Sequence, residues 1–486
     1  MVQGGAAGTS PAMTTAIVWL RRDLRLADNP AIHAAVAGHA SVLPVYIHAP
    51  EEEAPWMPGA ASRWWLHHSL AALDDALRER GASLYLAKGP SLESLRRLIK
   101  ASGAVAVYWN RQYEPAALAR DREIKQRLRA EGVAAQSYNS ALLVEPWALA
   151  TREGRPYRVF TPYWRAVEAH LADTAPWPAP SRIPMPAAEG SLPLDALELR
   201  PRIAWDAGLR DAWRPGEEGA HALLREFVAD SIGHYGERRD RPDVDGTSRL
   251  SPYLHAGELS PRQILAALRD HLPISGSQGF PSIAAPYVRE LGWREFSYHL
   301  LFHHPDTPER SLNAQFERFP WREPTGDLLE RWQQGHTGIP IVDAGMRQLW
   351  KTGWMHNRVR MLVASLLSKN LRIHWSHGAR WFWDTLVDAD LANNTQGWQW
   401  TAGCGADAAP FFRIFNPVVQ ALRFDPRGEY IRRWVPELRD LPAPLLHEPW
   451  REPGLLGRIG YAAPMVDLAS SRDEALAAYQ AVRANR

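Results

Sequence analysis

Residues 388–400 have the sequence Asp-Ala-Asp-Leu-Ala-Asn-Asn-Thr-Gln-Gly-Trp-Gln-Trp, and residues 407–417 have the sequence Asp-Ala-Ala-Pro-Phe-Phe-Arg-Ile-Phe-Asn-Pro. Carboxylates, amides and two tryptophans are crowded together here, and the glycines and prolines after Trp400 discourage one long helix. This mixture is a poor composition for an ordinary core. It suits a site that holds a polar, planar, redox-active molecule against aromatic surfaces.

The composition around this stretch is that of a large globular protein. The chain has 486 residues, which is more than one hydrophobic core usually serves. Its single cysteine, Cys404, excludes a disulfide framework and fits a reducing cytoplasm. No apolar run approaches the roughly 20 residues that cross a bilayer. We therefore expect a cytoplasmic monomer without a membrane partner, and a disordered leader over residues 1–12.

Charge and tryptophan content bear on the partner. The net charge of +2 neither demands nor forbids a nucleic acid. Between residues 341 and 383, however, seven Lys or Arg stand against one acid, Asp343, which indicates either a basic binding surface or a solvated helix face. The chain also has 22 tryptophans, 12 of them from Trp293 onward, and stacking on bases or on a flavin would explain that excess.

The first part of the chain alternates short apolar runs with amphipathic segments, which predicts an α/β domain with a Rossmann-like, five-stranded parallel sheet. The glycine-rich fingerprint of nicotinamide enzymes does not follow the first run, so a ligand would use the carboxyl edge of the sheet in another way. The predicted strands are 16–20, 41–47, 82–87, 104–109 and 133–138.

A connector separates this domain from the rest. Seven prolines lie between Pro176 and Pro201, which is typical of a segment that runs over the surface between domains. We predict an α/β domain over 13–145, a connector over 146–216 and an all-α domain over 217–486. The predicted helices of the last domain are 221–232, 260–271, 287–303, 327–334, 341–371 and 379–387.

The helical half begins with a loop rich in hydroxyl groups. Tyr235 precedes the segment 245–252, where Thr247, Ser248 and Ser251 come just before a predicted helix. Hydroxyl and backbone N–H groups at a helix start can hold a pyrophosphate. The same residues could also be an ordinary helix N-cap.

Two further patterns place polar groups beside tryptophan. Glu290, Trp293 and Arg294 have the spacing of one helix face, where they could form a functional cluster or a surface salt bridge beside a packed indole.

In the second pattern, Trp354, Asn357 and Met361 are predicted to align along one face, with Arg358 to one side. An amide on an apolar stripe needs a partner, which could be a substrate or a neighbouring helix.

Together these motifs resemble the DNA photolyase/cryptochrome family of flavoproteins. The resemblance covers about residues 16–461 and is carried by the segments 245–251, 338–358 and 388–417. It implies an α/β antenna domain, a connector and an all-α domain that encloses FAD.

The resemblance also assigns residues to FAD. Asn394 occupies the position that faces flavin N5, where an amide can donate a hydrogen bond without adding charge. The phosphate-side contacts would be Tyr235, Thr247, Ser248, Arg249, Leu250 and Ser251. The ribityl and isoalloxazine contacts would be Arg294, Arg360, Asp388 and Asp390.

Within the family, the residues are most similar to the photolyase branch that is sister to plant cryptochromes. Those cryptochromes typically have Asp where this chain has Asn394. They also tend to lose substrate-side residues that this chain retains, namely Glu290, Trp293, Asn357, Met361 and Trp400.

The function that the resemblance implies is light-driven splitting of cyclobutane pyrimidine dimers in DNA, with the lesion flipped into a pocket. Trp293 and Trp400 would stack on the dimer, and Glu290 and Asn357 would hydrogen-bond it. Arg239 and Arg358 would bind DNA phosphates. An electron relay that reduces the flavin would run through Trp398, Trp375 and Trp321.

Three points stay open at this stage. The antenna would be a methenyl-tetrahydrofolate, bound by contacts that differ from the usual pattern of the family. A deazaflavin is the second choice and an empty site is the third. The principal alternative function is a cryptochrome-type blue-light receptor. Repair of (6-4) photoproducts is a further alternative, which His356 keeps open although Asn357 and Met361 stand where histidines would be expected.

Overall fold

A computed structural model describes residues 12–171, 175–272, 282–408 and 412–484. The predicted leader lies outside the described residues apart from Ala12, which is the first residue of strand β1.

The α/β half contains the predicted five-stranded parallel sheet, in the order β3-β2-β1-β4-β5. Ile17 of β1 pairs with Leu43 of β2 on one side and with Val107 of β4 on the other, and all three side chains are fully buried. Burial on both faces explains the continuous apolar runs of these strands. The strands are β1 Ala12–Leu20, β2 His39–His48, β3 Tyr85–Lys88, β4 Ala104–Asn110 and β5 Ala134–Tyr138. The helices are α1 Pro30–Gly38, α2 Ala60–Arg78, α3 Ser91–Ser102 and α4 Pro115–Ala130.

The third strand starts later than predicted. Residues 82–84 close the end of α2, because Ala82 N–H donates to Leu77 O at 3.0 Å and Leu84 N–H donates to the Asp74 carboxylate at 2.7 Å. Those N–H groups are therefore not available to a sheet, and β3 begins only at Tyr85.

The proline-rich segment after the sheet follows its β2–β3 side. Val42 N–H donates to Pro184 O at 2.7 Å and Leu192 N–H donates to Leu86 O at 2.9 Å. These contacts cover backbone groups that an exposed edge strand would leave unpaired. The α-helices in the described part of residues 146–216 are α5 Phe160–Glu168 and α6 Ala207–Ala212.

The second half is all-α, as predicted. Among its described residues the only strand pairing is a single bridge between Arg322 and Ile373. Its first helices are α7 Glu217–Glu226, α8 Tyr235–Arg238, α9 Ser251–Ala256, α10 Pro261–His271, α11 Ala285–His303 and α12 Leu328–Gln334. Those of the centre are α13 Pro340–Thr352, α14 Asn357–Ser365, α15 Trp375–Thr385 and α16 Leu391–Ala402. The last are α17 Pro417–Phe424, α18 Glu429–Trp434, α19 Ala443–His447, α20 Leu455–Ile459 and α21 Leu468–Ala484.

The single helix predicted over 341–371 is wrong. Gly353 has a φ of 67° and ends α13 in the left-handed conformation that glycine adopts most readily. His356 then starts α14 as its N-cap, accepting a hydrogen bond from Arg358 N–H. Trp354 lies in the break, so the prediction that it shares a helix face with Asn357 and Met361 is wrong as well.

The two halves meet at a buried carboxyl group. Glu258 is fully buried and accepts hydrogen bonds from Trp65 Nε1 at 3.1 Å, from Gly216 N–H at 2.7 Å and from the Ser69 hydroxyl. Burial raises the pKa of Glu258 to about 8, against the opposing effect of these donors. The contact joins α2 of the sheet domain to the helical half and so helps to fix how the two halves meet.

Candidate flavin and DNA site

The first cluster of the site surrounds Asp388, immediately before α16. Arg360 Nη2 lies 2.8 Å from Asp388 Oδ2 and 3.1 Å from Oδ1, and the Ser251 hydroxyl donates to Oδ2 at 2.6 Å. Three segments that are far apart in the sequence therefore meet at one carboxylate. The fold brings these three predicted flavin contacts together.

A second cluster surrounds Asp390, the N-cap of α16. One of its oxygens accepts Asn393 N–H at 2.8 Å, and the other accepts the Tyr298 hydroxyl. Burial by itself would raise the pKa of Asp390. The nearby His255, whose Nδ1 lies 3.9 Å from Asp390 Oδ2, together with Arg294 and Tyr298, outweighs burial and holds that pKa well below its usual range. Asp390 is therefore held as a carboxylate at the start of α16.

Arg294 lies beside this second cluster. Its Nη1 donates to Ala141 O at 2.8 Å, and its guanidinium lies 4.9 Å from the centre of the Tyr298 ring. Burial lowers the pKa of Arg294, but Tyr298, Glu295 and Asp390 raise it by more, so the side chain is a fixed cation.

Asn394 lies in the first turn of α16. Its Nδ2 donates to Ala379 O of α15 at 2.9 Å, which orients the amide and leaves its second N–H and its oxygen for a ligand. The residue remains partly exposed, as a contact to a bound molecule requires.

The loop before α9 carries the predicted phosphate-side residues. The Tyr287 hydroxyl donates to Ser248 Oγ at 3.1 Å, and the Tyr287 ring packs edge-on against Tyr235, with ring centres 5.2 Å apart. Arg249 has a φ of 53° and extends its guanidinium over Trp213, 4.4 Å from that ring's centre. Its direct contact with a phosphate stays a prediction, as do those of Thr247 and Leu250.

These side chains fit the edge of a flavin, which offers both hydrogen-bond donors and acceptors. Arg360 and Asn394 can donate, and Asp388 and Asp390 can accept. In addition, Arg249 Nε is buried without a hydrogen-bond partner among the described residues, an arrangement that a bound ligand would relieve.

The predicted substrate-side residues lie on α11 and α14. Glu290 is paired with Arg239. Trp293 stacks on Phe160, with ring centres 3.7 Å apart and planes 7° from parallel, so Phe160 covers one face of the indole. Asn357 is exposed and Met361 is partly buried.

Trp400 lies on the last turns of α16, in contact with the core but not fully buried. It lines a small pocket of about 370 Å³ together with Arg413 and Phe412. An aromatic face beside a cation suits a base next to its phosphate.

The three tryptophans of the predicted relay differ in burial. Trp398 and Trp375 are buried, and Trp321 is partly exposed. The ring centres of Trp375 and Trp321 lie 5.2 and 5.0 Å from that of His374, so this histidine joins the two outer members. The passage of electrons through these three residues stays a prediction.

Sequence reasoning missed Tyr298, Tyr287 and Asp240. Tyr298 is four residues after Arg294 on α11, so helical spacing alone could have found it. Asp240 directly follows Arg239 and bridges to Arg358, a contact that only the fold can reveal.

A second cleft lies between the two halves, at the carboxyl edge of the sheet where a ligand was expected. It has a volume of about 810 Å³ and is lined by Trp19, Tyr46 and Trp383, with Arg22 among its cations. Arg22 is paired with Glu53 and Glu114.

Comparison with known proteins agrees with this architecture. The FAD binding domain of DNA photolyase matches residues 287–481, and DNA photolyase matches residues 16–181. These matches, together with the parallel sheet and the all-α half, define a protein with an α/β domain and a helical FAD-binding domain.

Individual similar proteins define the class of this flavoprotein more closely. The chain is 46% identical to the deoxyribodipyrimidine photo-lyase of Agrobacterium fabrum, with 96% of this chain and 98% of the relative covered. It is 40% identical to cryptochrome-2 of Arabidopsis thaliana, with 94% and 77% covered. The crystal structure of a bacterial class III photolyase from Agrobacterium tumefaciens superposes with a TM-score of 0.91 at 45% identity, covering 99% of this chain and 100% of that one. The chain belongs to the DNA photolyase/cryptochrome family.

Within the described ranges, none of the helices combines the length and the apolar character that a bilayer crossing demands.

Proposed function

We propose that the protein repairs cyclobutane pyrimidine dimers in DNA, using light and FAD. One observation carries the proposal: α11 serves both parts of the site. Arg294 reaches the Asp390 cluster, while Glu290 and Trp293, four and one residues earlier, remain partly exposed on the same helix. A lesion held by Glu290 and Trp293 would therefore lie within one helical turn of the flavin contacts.

FAD would supply the light-driven one-electron donor. The protein's part is to bind and orient. Asp388 and Arg360 would fix the flavin edge, Asn394 would place a hydrogen-bond-donating amide at N5, and Trp293 and Trp400 would hold the dimer between aromatic surfaces. Glu290 would hydrogen-bond the pyrimidine edge as charge develops on it.

DNA would bind through its phosphates. Arg239 and Arg358 lie beside Glu290 and Asn357, so phosphates next to the lesion are within their reach. Such contacts give salt-sensitive binding without sequence preference. Flipping favours a dimer because it stacks and pairs poorly in the duplex.

The repair prediction is tested with Glu290→Ala. Purified, chemically reduced protein under blue light should split the thymine dimers in an oligonucleotide. The variant should repair them roughly 10- to 100-fold more slowly, because it lacks one hydrogen-bonding group at the reacting base. FAD content should not change, since Glu290 pairs with Arg239 and not with the flavin clusters. The protein kept in the dark is the control. Clean photochemistry that leaves the dimer intact would favour a blue-light receptor instead.

Repair of (6-4) photoproducts receives less support. His356, the residue that keeps this reading open, is buried, and its Nδ1 accepts a hydrogen bond from Arg358 N–H at 3.2 Å. Burial lowers the pKa of His356 to about 4. A neutral helix cap of this kind is poorly suited to donate a proton to a lesion.

We further propose that the cleft between the halves binds the antenna, a methenyl-tetrahydrofolate in preference to a deazaflavin. Its aromatic lining suits a flat chromophore. Ser62 lines the same cleft, so Ser62→Trp should expel the chromophore while FAD stays bound. Acid extraction followed by absorbance of the released pigments measures both. Equal pigment in the variant and the parent would contradict this location.

The protein is expected to act as a cytoplasmic monomer. Its single cysteine, buried Cys404, supports a reducing compartment. The molar mass of the purified protein in solution, measured by light scattering, tests whether it is a monomer.

A further inference from the structure

Four charged side chains form one continuous chain at the substrate side. Glu290 is paired with Arg239, whose Nε lies 3.9 Å from Asp240 Oδ1. The other oxygen of the same carboxylate, Asp240 Oδ2, lies 2.7 Å from Arg358 Nη2. Acid and base therefore alternate from Glu290 to Arg358, and both arginines that are expected to bind DNA are already engaged with carboxylates.

We propose that this ion-pair chain couples the lesion to the grip on the DNA backbone: a dimer that takes Glu290 releases Arg358 for a phosphate. The inference rests on the proposed function, in which Glu290 contacts the dimer. It assigns to Asp240 the role of a positioning residue that acts through the two arginines.

The first step is the transfer of Arg239 from Glu290 to Asp240. Without a lesion, Arg239 has its close contact with Glu290 and only a distant one with Asp240. Its guanidinium is held 5.5 Å from the centre of the Tyr235 ring, which limits where it can go. When the dimer engages Glu290, the carboxylate within reach of Arg239 is Asp240.

The second step is the release of Arg358. One carboxylate shared by two guanidinium groups holds each less firmly than it holds one alone. Arg358 lies 4.4 Å from the centre of the Phe424 ring, and its Nε is buried without a hydrogen-bond partner among the described residues. Once Arg239 has paired with Asp240, a DNA phosphate binds Arg358 more strongly than the shared Asp240 carboxylate does.

Undamaged DNA cannot start this exchange, because a stacked base pair presents nothing to Glu290. Arg358 then stays paired with Asp240, so the backbone of undamaged DNA makes one fewer contact with a cationic side chain than the backbone of damaged DNA. The chain of ion pairs would thus raise selectivity for the lesion by weakening binding to undamaged DNA, without any additional contact to the lesion itself.

The decisive variant is Asp240→Asn, tested on the full chain with FAD bound. Affinity for an undamaged duplex should rise by about fivefold, the effect of one partly exposed ion pair. The slope of log affinity against log salt should steepen by about one. Affinity for the same duplex with one thymine dimer should change by less than about twofold, because Arg358 is already released in that complex.

Two further variants separate the exchange from a general effect of charge. Asp240→Glu restores the carboxylate and should restore the parent selectivity. Glu474→Gln makes the same charge change at another carboxylate that pairs with two arginines, Arg322 at 2.6 Å and Arg372 at 3.2 Å, and should leave both DNA affinities unchanged.

Other results would overturn the proposal. It fails if Asp240→Asn leaves undamaged DNA binding unchanged, or if it tightens both duplexes equally. It fails also if Glu474→Gln has the same effect. When the parent protein repairs dimers and any of these occurs, only the coupling is wrong. A parent protein that neither prefers nor repairs the dimer would reject the proposed function together with the coupling.

Discussion

Asp388→Ala should lower the affinity for FAD by roughly 100- to 1,000-fold. The Asp388 side chain is 4% exposed and holds Arg360, which is itself 24% exposed in the protein without ligand. A bound flavin would cover Arg360, so the cost of leaving that cation unpaired would fall on the bound state. Removing one partner of a buried ion pair costs about 3–5 kcal/mol. The lower part of this range, about 3–4 kcal/mol, corresponds to the expected loss of affinity because Arg360 is only partly buried.

The ratio of FAD to protein after purification and an equilibrium titration with FAD measure the effect. Asp388→Asn keeps an acceptor for the Ser251 hydroxyl and should lose less affinity. Asp384→Ala is the matched control, because that exposed carboxylate on neighbouring α15 accepts Ala60 N–H at 2.8 Å and has no contact with Arg360. Stoichiometric FAD in Asp388→Ala would refute the assignment of this carboxylate to the flavin site.

The parts of the fold that could be predicted are those that depend on local pattern. Apolar runs such as that around Ile17 alternate with amphipathic segments, and that alternation indicates a parallel sheet covered on both faces. The helical half was equally legible, because helices such as α10 combine apolar periodicity with a capping box at Ser260.

The parts that were not predicted are one local helix break and several contacts between distant segments. Periodicity continues through Gly353 and Trp354, so it gives no sign that the helix ends there; the left-handed glycine and the cap at His356 decide it. Likewise, the spacing of Glu290 and Arg294 on α11 is local information. That they turn to different partners, Arg239 and Ala141, follows only from tertiary structure.

The same distinction applies to the flavin site. Family resemblance named Asp388, Arg360 and Ser251 separately, and the fold brings them into one hydrogen-bonded cluster. The resemblance could not show that Arg239 and Arg358 are paired with carboxylates before DNA binds. Functional cations therefore cannot be counted as free binding capacity from sequence alone.

Trp398→Phe should abolish the light-driven reduction of bound FAD while leaving its binding intact. An indole gives up an electron far more readily than a benzene ring, so phenylalanine would break the proposed relay at the member expected to lie next to the flavin. Trp398 is well placed for that role, because it is buried and its Nε1 has no hydrogen-bond partner among the described residues. An oxidised Trp398 would have no adjacent acceptor for its proton, which favours passing the charge outward instead.

The surroundings of Trp398 also make the substitution tolerable. Its ring packs against Phe382, with ring centres 5.0 Å apart, and directly over Gly378, where a Cβ atom would lie only 2.0 Å from the indole. Phenylalanine fits this slot and leaves a small cavity, which should cost about 1–3 kcal/mol of stability. Absorbance during illumination with an external electron donor measures the loss of photoreduction.

Two comparisons make the result specific to the relay. Trp332→Phe alters a buried indole 6.1 Å from Trp398 whose Nε1 donates to Val363 O at 3.0 Å, and it should retain photoreduction. Chemically reduced Trp398→Phe protein should still repair dimers at close to the parent rate, since the relay supplies electrons only to oxidised FAD. If photoreduction survives in Trp398→Phe, electrons reach FAD by a route that bypasses Trp398. If chemically reduced variant protein fails to repair, Trp398 has a part in holding the lesion or the flavin that the relay does not explain.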